Sequence, residues 1–202
     1  MFNTAIQTLD PENGAATLGD VGVYRPWEDI RSHDYYLVVE ARDPEPLATA
    51  TDLLLDRAPF SWIGKGSADE ALAELRSLPP AIAQDIRSLA SRFADLTGSA
   101  SIRIRLEQIV TNSCRKVHVD YTDLRLITTY AGPGTQVAIG NDPKAQSLYD
   151  IPTGHVGLFK GRRYAEGHEP CYHRSPPVGD TGEKRLVLVI DTAVFATDEK
   201  CM

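Results

Sequence analysis

The sequence predicts an α+β chain in which helices come first and an antiparallel β unit second. Apolar residues recur at helical spacing up to Gly98, and directly after it the period drops to two. The strand candidates beyond are joined by turn-rich pieces with no helical stretch between them. Helices over roughly 45–97 are therefore expected to pack on a barrel or jelly roll over roughly 101–195.

Residues 1–20 are rich in Gly, Asn and Thr with weak periodicity, and read as a peripheral arm. The apolar run 35–39 fits a strand or a buried helical turn, because its length cannot decide. Residues 47–55 have helical spacing, with Pro59 beyond them. Ser67 stands three residues before Glu70, the spacing of a capping box, and Leu72, Leu75 and Leu78 continue as one face. Pro79 and Pro80 break that helix. The next carries Ile82, Ile86, Leu89, Phe93 and Leu96 on one face and has Gly98 just past its end. Ile102, Ile104 and Leu106 then alternate with Arg103, Arg105 and Glu107, as in a half-buried strand. Further strands are expected at 116–121, 125–130, 136–139, 155–160 and 185–191.

The composition narrows function. Lys+Arg 21 against Asp+Glu 28 gives a net charge of −7, which disfavours nucleic acid or an anionic membrane as partner. No apolar run approaches the ~20 residues of a membrane span, and the N-terminus lacks the basic and apolar regions of a secretory signal. Three cysteines do not make a disulfide framework, so a cytoplasmic protein is expected. The acidity lies in residues 1–100, while residues 101–202 hold four of the five histidines in a nearly neutral setting. An anionic small molecule would bind in that second half.

The chemistry-bearing residues lie there too. His118 and Asp120 are two apart in KVHVDYTD, which on a strand puts an imidazole and a carboxylate on one face. His173 follows in CYHRSPP. Two histidines and one carboxylate are the facial ligand set of non-haem Fe(II) oxygenases. Arg185 follows His173 by 12 residues, and a fixed guanidinium is what a carboxylate cosubstrate needs.

This ordered set resembles the 2-oxoglutarate/Fe(II)-dependent oxygenase superfamily. More closely, CRKVHVDY (114–121), RLITTYAGPGT (125–135), GLFKG (157–161), HRSPP (173–177) and RLVLVID (185–191) resemble the bacterial domain-of-unknown-function 1826 family. The resemblance implies a double-stranded β-helix, or jelly roll, with packed N-terminal helices. It implies that His118, Asp120 and His173 ligate Fe(II) and that Arg185 pairs with the distal carboxylate of 2-oxoglutarate. Tyr130 or Arg125 would assist in holding the cosubstrate. The implied activity is hydroxylation of an unidentified small molecule or peptide.

The cysteines keep a rival open. Cys114 and Cys171 lie near His118 and His173 in sequence, and two thiolates with two imidazoles would make a closed zinc site in a metal-homeostasis protein. A cupin-like metalloenzyme without 2-oxoglutarate is a second rival. Cys201 reads as an incidental thiol. AGPGT (131–135) reads as a turn, with Gly134 supplying a backbone conformation closed to other residues. His155 and His168 read as structural or exposed, with His168 placed to close over a pocket, and the KGRR cluster (160–163) as a solvated turn or a steering patch for an anion. Trp27 and Trp62 read as core aromatics. The organisation expected is a peripheral arm over 1–20, a mainly helical part over 21–100 and the β core over 101–195, as one integrated domain. Pairing of edge strands into a homodimer stays open.

Overall fold

The computed structural model describes residues 22–75, 77–144 and 147–194. The arm read over 1–20 and Cys201 lie outside them. In chain order the elements are β1 (Leu37–Glu40), α1 (Ala48–Leu55), β2 (Ser61–Gly66), α2 (Ala68–Ala73), α3 (Pro80–Thr97), β3 (Ile102–Ile109), β4 (Leu124–Ala131), β5 (Gln136–Ala138), β6 (Leu148–Asp150), β7 (Val156–Lys160), β8 (His173–Arg174), α4 (Val178–Thr181) and β9 (Arg185–Thr192).

The helices form where local chemistry calls for them. Ser67 accepts from the Glu70 N–H while the Glu70 carboxylate accepts from the Ser67 N–H, so the capping box is complete. Its helix is shorter than the leucine spacing suggests and ends at Ala73, although Leu72 and Leu75 are both buried. In α3, Pro80 supplies the first turn and Gly98, at φ 67°, terminates the helix in the left-handed region. Its face of Ile82, Ile86, Leu89 and Phe93 is fully buried, each side chain contributing about 1.5–3 kcal/mol.

The strands make two sheets, both antiparallel throughout. The larger runs β1-β7-β4-β9-β3-β2 and the smaller β6-β5-β8. Both edges of the larger sheet, β1 and β2, come from residues before 101, where the sequence suggested mainly helix. One face of this sheet (Ile104, Leu126, Leu158, Leu188) packs on the helices in the main core. The other face (Val39, Ile127, Phe159, Val187, Val189) meets Val137 and Ile151 from the side of the smaller sheet. Strands covered on both faces lose the polar–apolar alternation that a half-exposed strand would show. Hence Arg103, expected to face solvent, is 4% exposed.

Residues 116–121 do not form the expected strand. Cys114 has φ 56°, which interrupts extended backbone, and pairing is limited to one antiparallel bridge between His118 and His173. Among the described residues no helix is long and apolar enough to cross a membrane.

Candidate functional site

That single bridge builds the site. The His118 N–H donates to the His173 carbonyl at 2.9 Å, and the His173 N–H returns the bond at 3.0 Å. Residues paired in this way project side chains to one side of the sheet, and the two rings sit 4.8 Å apart. The histidines therefore meet as neighbours across one antiparallel bridge. Asp120 joins them two residues on, its backbone held by the Arg162 N–H on its carbonyl at 2.9 Å. The ligating atoms of His118, Asp120 and His173 all lie within 4.8 Å of one another.

The tautomers follow from the backbone. His118 Nδ1 is 2.8 Å from the Lys116 carbonyl and His173 Nδ1 is 3.1 Å from the Cys171 carbonyl. A carbonyl only accepts, so each Nδ1 carries the hydrogen. In the neutral rings both Nε2 atoms present lone pairs. They aim at Asp120, with His173 Nε2 3.1 Å from Oδ2 and His118 Nε2 3.6 Å from Oδ1. Asp120 Oδ2 is buried with no hydrogen bond aligned on it. Two lone pairs and a carboxylate repel one another unless a proton or a cation sits among them. Burial would lower the His118 pKa, but Asp120 and the Lys116 carbonyl outweigh it and raise it. Burial would raise the Asp120 pKa, but Arg125 and the histidines hold it well below the usual carboxylate value.

Behind the triad stands a buried charge relay. Arg125, on β4, donates to Asp120 Oδ1 at 2.7 Å and through a fork to both oxygens of Asp191, at 2.6 and 3.0 Å. Arg125, expected to assist in holding a cosubstrate, thus binds carboxylates of the protein. Tyr130 is the other residue expected to assist. It lies on the opposite face of β4, in the helix-side core, where its hydroxyl donates to Asp85 on α3 at 2.7 Å.

Arg185 stands where expected, at the head of β9, and is 2% exposed. Its NH1 donates to Ser175 at 2.7 Å, and its NH2 to Thr129 at 3.0 Å and Thr135 at 2.5 Å. All three acceptors are neutral hydroxyls, and among the described residues no carboxylate pairs with it. Its Nε is buried without a partner. Burial lowers its pKa to about 10, so it remains a cation at neutral pH.

Neither cysteine belongs to the ligand group. Cys114 lies in a loop whose carbonyl accepts from the Ser175 N–H at 3.0 Å. Cys171 is buried in the apolar cluster with Val39 and Phe159, and burial, aided by Asp120, pushes its thiol well above the usual value. A thiol held protonated is a poor zinc ligand. His168 is tied into its own loop by the Gly161 carbonyl, 2.7 Å from Nε2, and does not reach over the site. His155 lies half-buried against Tyr24. Asp191 was overlooked, although an aspartate closing the apolar run RLVLVI signals a buried charge that needs a partner.

Three solved structures share the fold. Dioxygenase for auxin oxidation 1 from Arabidopsis thaliana, in binary complex with 2-oxoglutarate, is 8% identical over 84% of this chain and 86% of that one, with a TM-score of 0.55. Dioxygenase for auxin oxidation from rice is 15% identical over 79% and 75%, at 0.54. JOX2 in complex with 2OG, Fe and JA is 11% identical over 81% and 68%, at 0.54. At these identities the likeness is one of fold. No curated protein matches the chain. The family model described as "Protein of unknown function (DUF1826)" matches residues 64–191.

Proposed function

Because the chain belongs to that DUF1826 family, whose description carries no activity, function has to come from the site, and we propose a non-haem Fe(II), 2-oxoglutarate-dependent oxygenase. The observation that carries this reading is the convergence of two Nε2 lone pairs and the Asp120 carboxylate on one point. Two imidazoles and one carboxylate suit Fe(II) and leave coordination positions open. When bound, iron would supply activation of dioxygen coupled to oxidative decarboxylation of 2-oxoglutarate, with hydroxylation of a small molecule or peptide.

The chain's own residues do the positioning. The carbonyls of Lys116 and Cys171 orient the two rings, and Arg125 orients Asp120. Arg185 accounts for the cosubstrate. A cation buried without a counter-charge costs several kcal/mol, and an incoming carboxylate would offset this by pairing with the guanidinium fork. The hydroxyls of Ser175, Thr129 and Thr135 hold that fork in place. The two antiparallel sheets, with the site between them, support the double-stranded β-helix reading.

The test is anaerobic calorimetry. Protein loaded with Fe(II) is expected to bind 2-oxoglutarate, and Arg185→Met to lose that binding while retaining metal. Equal 2-oxoglutarate affinity in both proteins, or none in the wild type, would overturn the reading.

A further inference from the structure

A cavity of about 390 Å³ opens on the helix side of the larger sheet. Its walls come from the 3-10 turn Trp27–Arg31, the C-terminal end of α3, the start of β4 and Tyr164. Leu124 in its wall belongs to the helix-side core, whereas the next residue, Arg125, reaches Asp120 on the other face. The cavity and the triad therefore lie on opposite faces of β4. Its volume is that of a small-molecule site.

Two opposite charges line this cavity, and neither has a counter-ion among the described residues. Arg31 is exposed, and its hydrogen bond goes to a neutral acceptor, the Leu96 carbonyl, at 2.9 Å. Asp123 is half-buried. Every hydrogen bond it accepts falls on Oδ1, from the Leu124 N–H at 2.6 Å and the hydroxyls of Thr192 at 2.7 Å and Thr122 at 3.2 Å. Among the described residues Oδ2 accepts none, and all the donors to Asp123 are neutral. Arg31 and Asp123 do not pair with each other, yet both act on the same group. Burial raises the pKa of the Tyr164 hydroxyl, Arg31 opposes that rise and Asp123 adds to it. This hydroxyl donates to the Ile30 carbonyl, next to Arg31, at 3.2 Å. Ile30, Leu96 and Leu124 give the cavity an apolar wall.

We propose that this cavity binds a free amino acid with an apolar side chain, its carboxylate on Arg31 and its ammonium on Asp123 Oδ2. An anion alone would pair with Arg31 and leave Asp123 as it is, and a cation alone would do the reverse. A zwitterion pairs both charges at once, through charge-assisted hydrogen bonds at each end. Its side chain then covers the apolar wall. The amino acid is a ligand separate from the metal and the cosubstrate, because it lies behind the sheet that carries them, and the proposal does not rest on the oxygenase reading.

Calorimetric titration of the full chain with L-leucine and L-phenylalanine tests this. At least one of them is expected to bind saturably. Taking leucine as the case, 4-methylpentanoate lacks its ammonium and 3-methylbutylamine lacks its carboxylate, and each should bind at least tenfold more weakly. Asp123→Asn should bring leucine down to the level of 4-methylpentanoate, and Arg31→Gln to that of 3-methylbutylamine. Asp120→Asn should leave leucine binding unchanged. Failure of both amino acids to bind overturns the proposal, as does 4-methylpentanoate binding as tightly as leucine. Loss of binding in Asp120→Asn would place the amino acid at the triad and overturn it too. If Asp123→Asn does not fold, Arg31→Gln carries the test, since Arg31 is exposed, and leucine bound there as tightly as by the wild type refutes the site.

Discussion

Arg125 and Asp120 are joined at 2.7 Å, and the same guanidinium grips Asp191, which is wholly buried on the next strand. Arg125 therefore neutralises one carboxylate that belongs to the fold and steers another that belongs to the site. Burial alone would lower its pKa, but the two aspartates outweigh that and raise it.

Arg125→Met should therefore do two separable things. Taking the hydrogen-bonding fork from buried Asp191, with Arg103 left at 3.7 Å, should cost about 3 kcal/mol in denaturant unfolding. Releasing Asp120 should weaken metal binding by about 10–100-fold. Arg125→Lys keeps the charge without the fork, and should recover more metal affinity than stability. Equal recovery of both would show that the fork is not what matters.

The choice between the open triad and the cysteine-containing site is settled by metal titration of three variants. Asp120→Asn and His173→Ala should lose metal affinity by more than tenfold. Cys171→Ser should keep it, because Cys171 is packed among apolar side chains outside the ligand group. Loss of metal in Cys171→Ser with retention in Asp120→Asn would mean a zinc site.

The pH dependence of the metal-free protein follows from His118. Its folded pKa lies above the unfolded value of about 6.5, so its protonation stabilises the fold. That contribution is fully present below the unfolded pKa and is lost as pH rises through the folded one. Tm with chelator should fall as pH rises above about 6.5. With Zn(II), which competes for the same lone pair, Tm should not fall over that window. A decline that persists in His118→Gln would place the titrating group elsewhere.

The ligand triad and Arg185 were legible because their residue types and order carry the chemistry whatever the local backbone does. What holds them was less legible. A two-bond bridge at His118 leaves no periodicity to read, so a whole strand was inferred from 116–121. The face on which Tyr130 lies could not be read, because ITTYA, in a strand covered on both sides, has no alternation to mark its faces. Arg103 and Arg105 looked outward for the same reason. Their burial depends on β2 and β9 flanking β3, and strand order in a sheet is not written in a strand's own residues.

Gly134 was read as a residue of special backbone conformation, but the structure gives a different reason for it. It does not lie in the left-handed region, whereas Gly132 does, at φ 78°. A Cβ on Gly134 would come 1.7 Å from the Ile151 carbonyl oxygen, a backbone atom that cannot rotate away. The Ile151 N–H in turn donates to the Thr135 carbonyl at 2.9 Å. Gly134→Ala must therefore push this strand pair apart beside Thr135, whose hydroxyl holds Arg185. Overpacking of this kind typically costs about 1–3 kcal/mol. The triad is anchored separately, through the bridge to β8, so metal affinity should change little while 2-oxoglutarate affinity falls by about tenfold or more, since a misplacement of 1 Å can cost that much. Parallel loss of metal and 2-oxoglutarate in anaerobic titrations of Gly134→Ala would show that the strand supports the whole site, and not the Arg185 end alone.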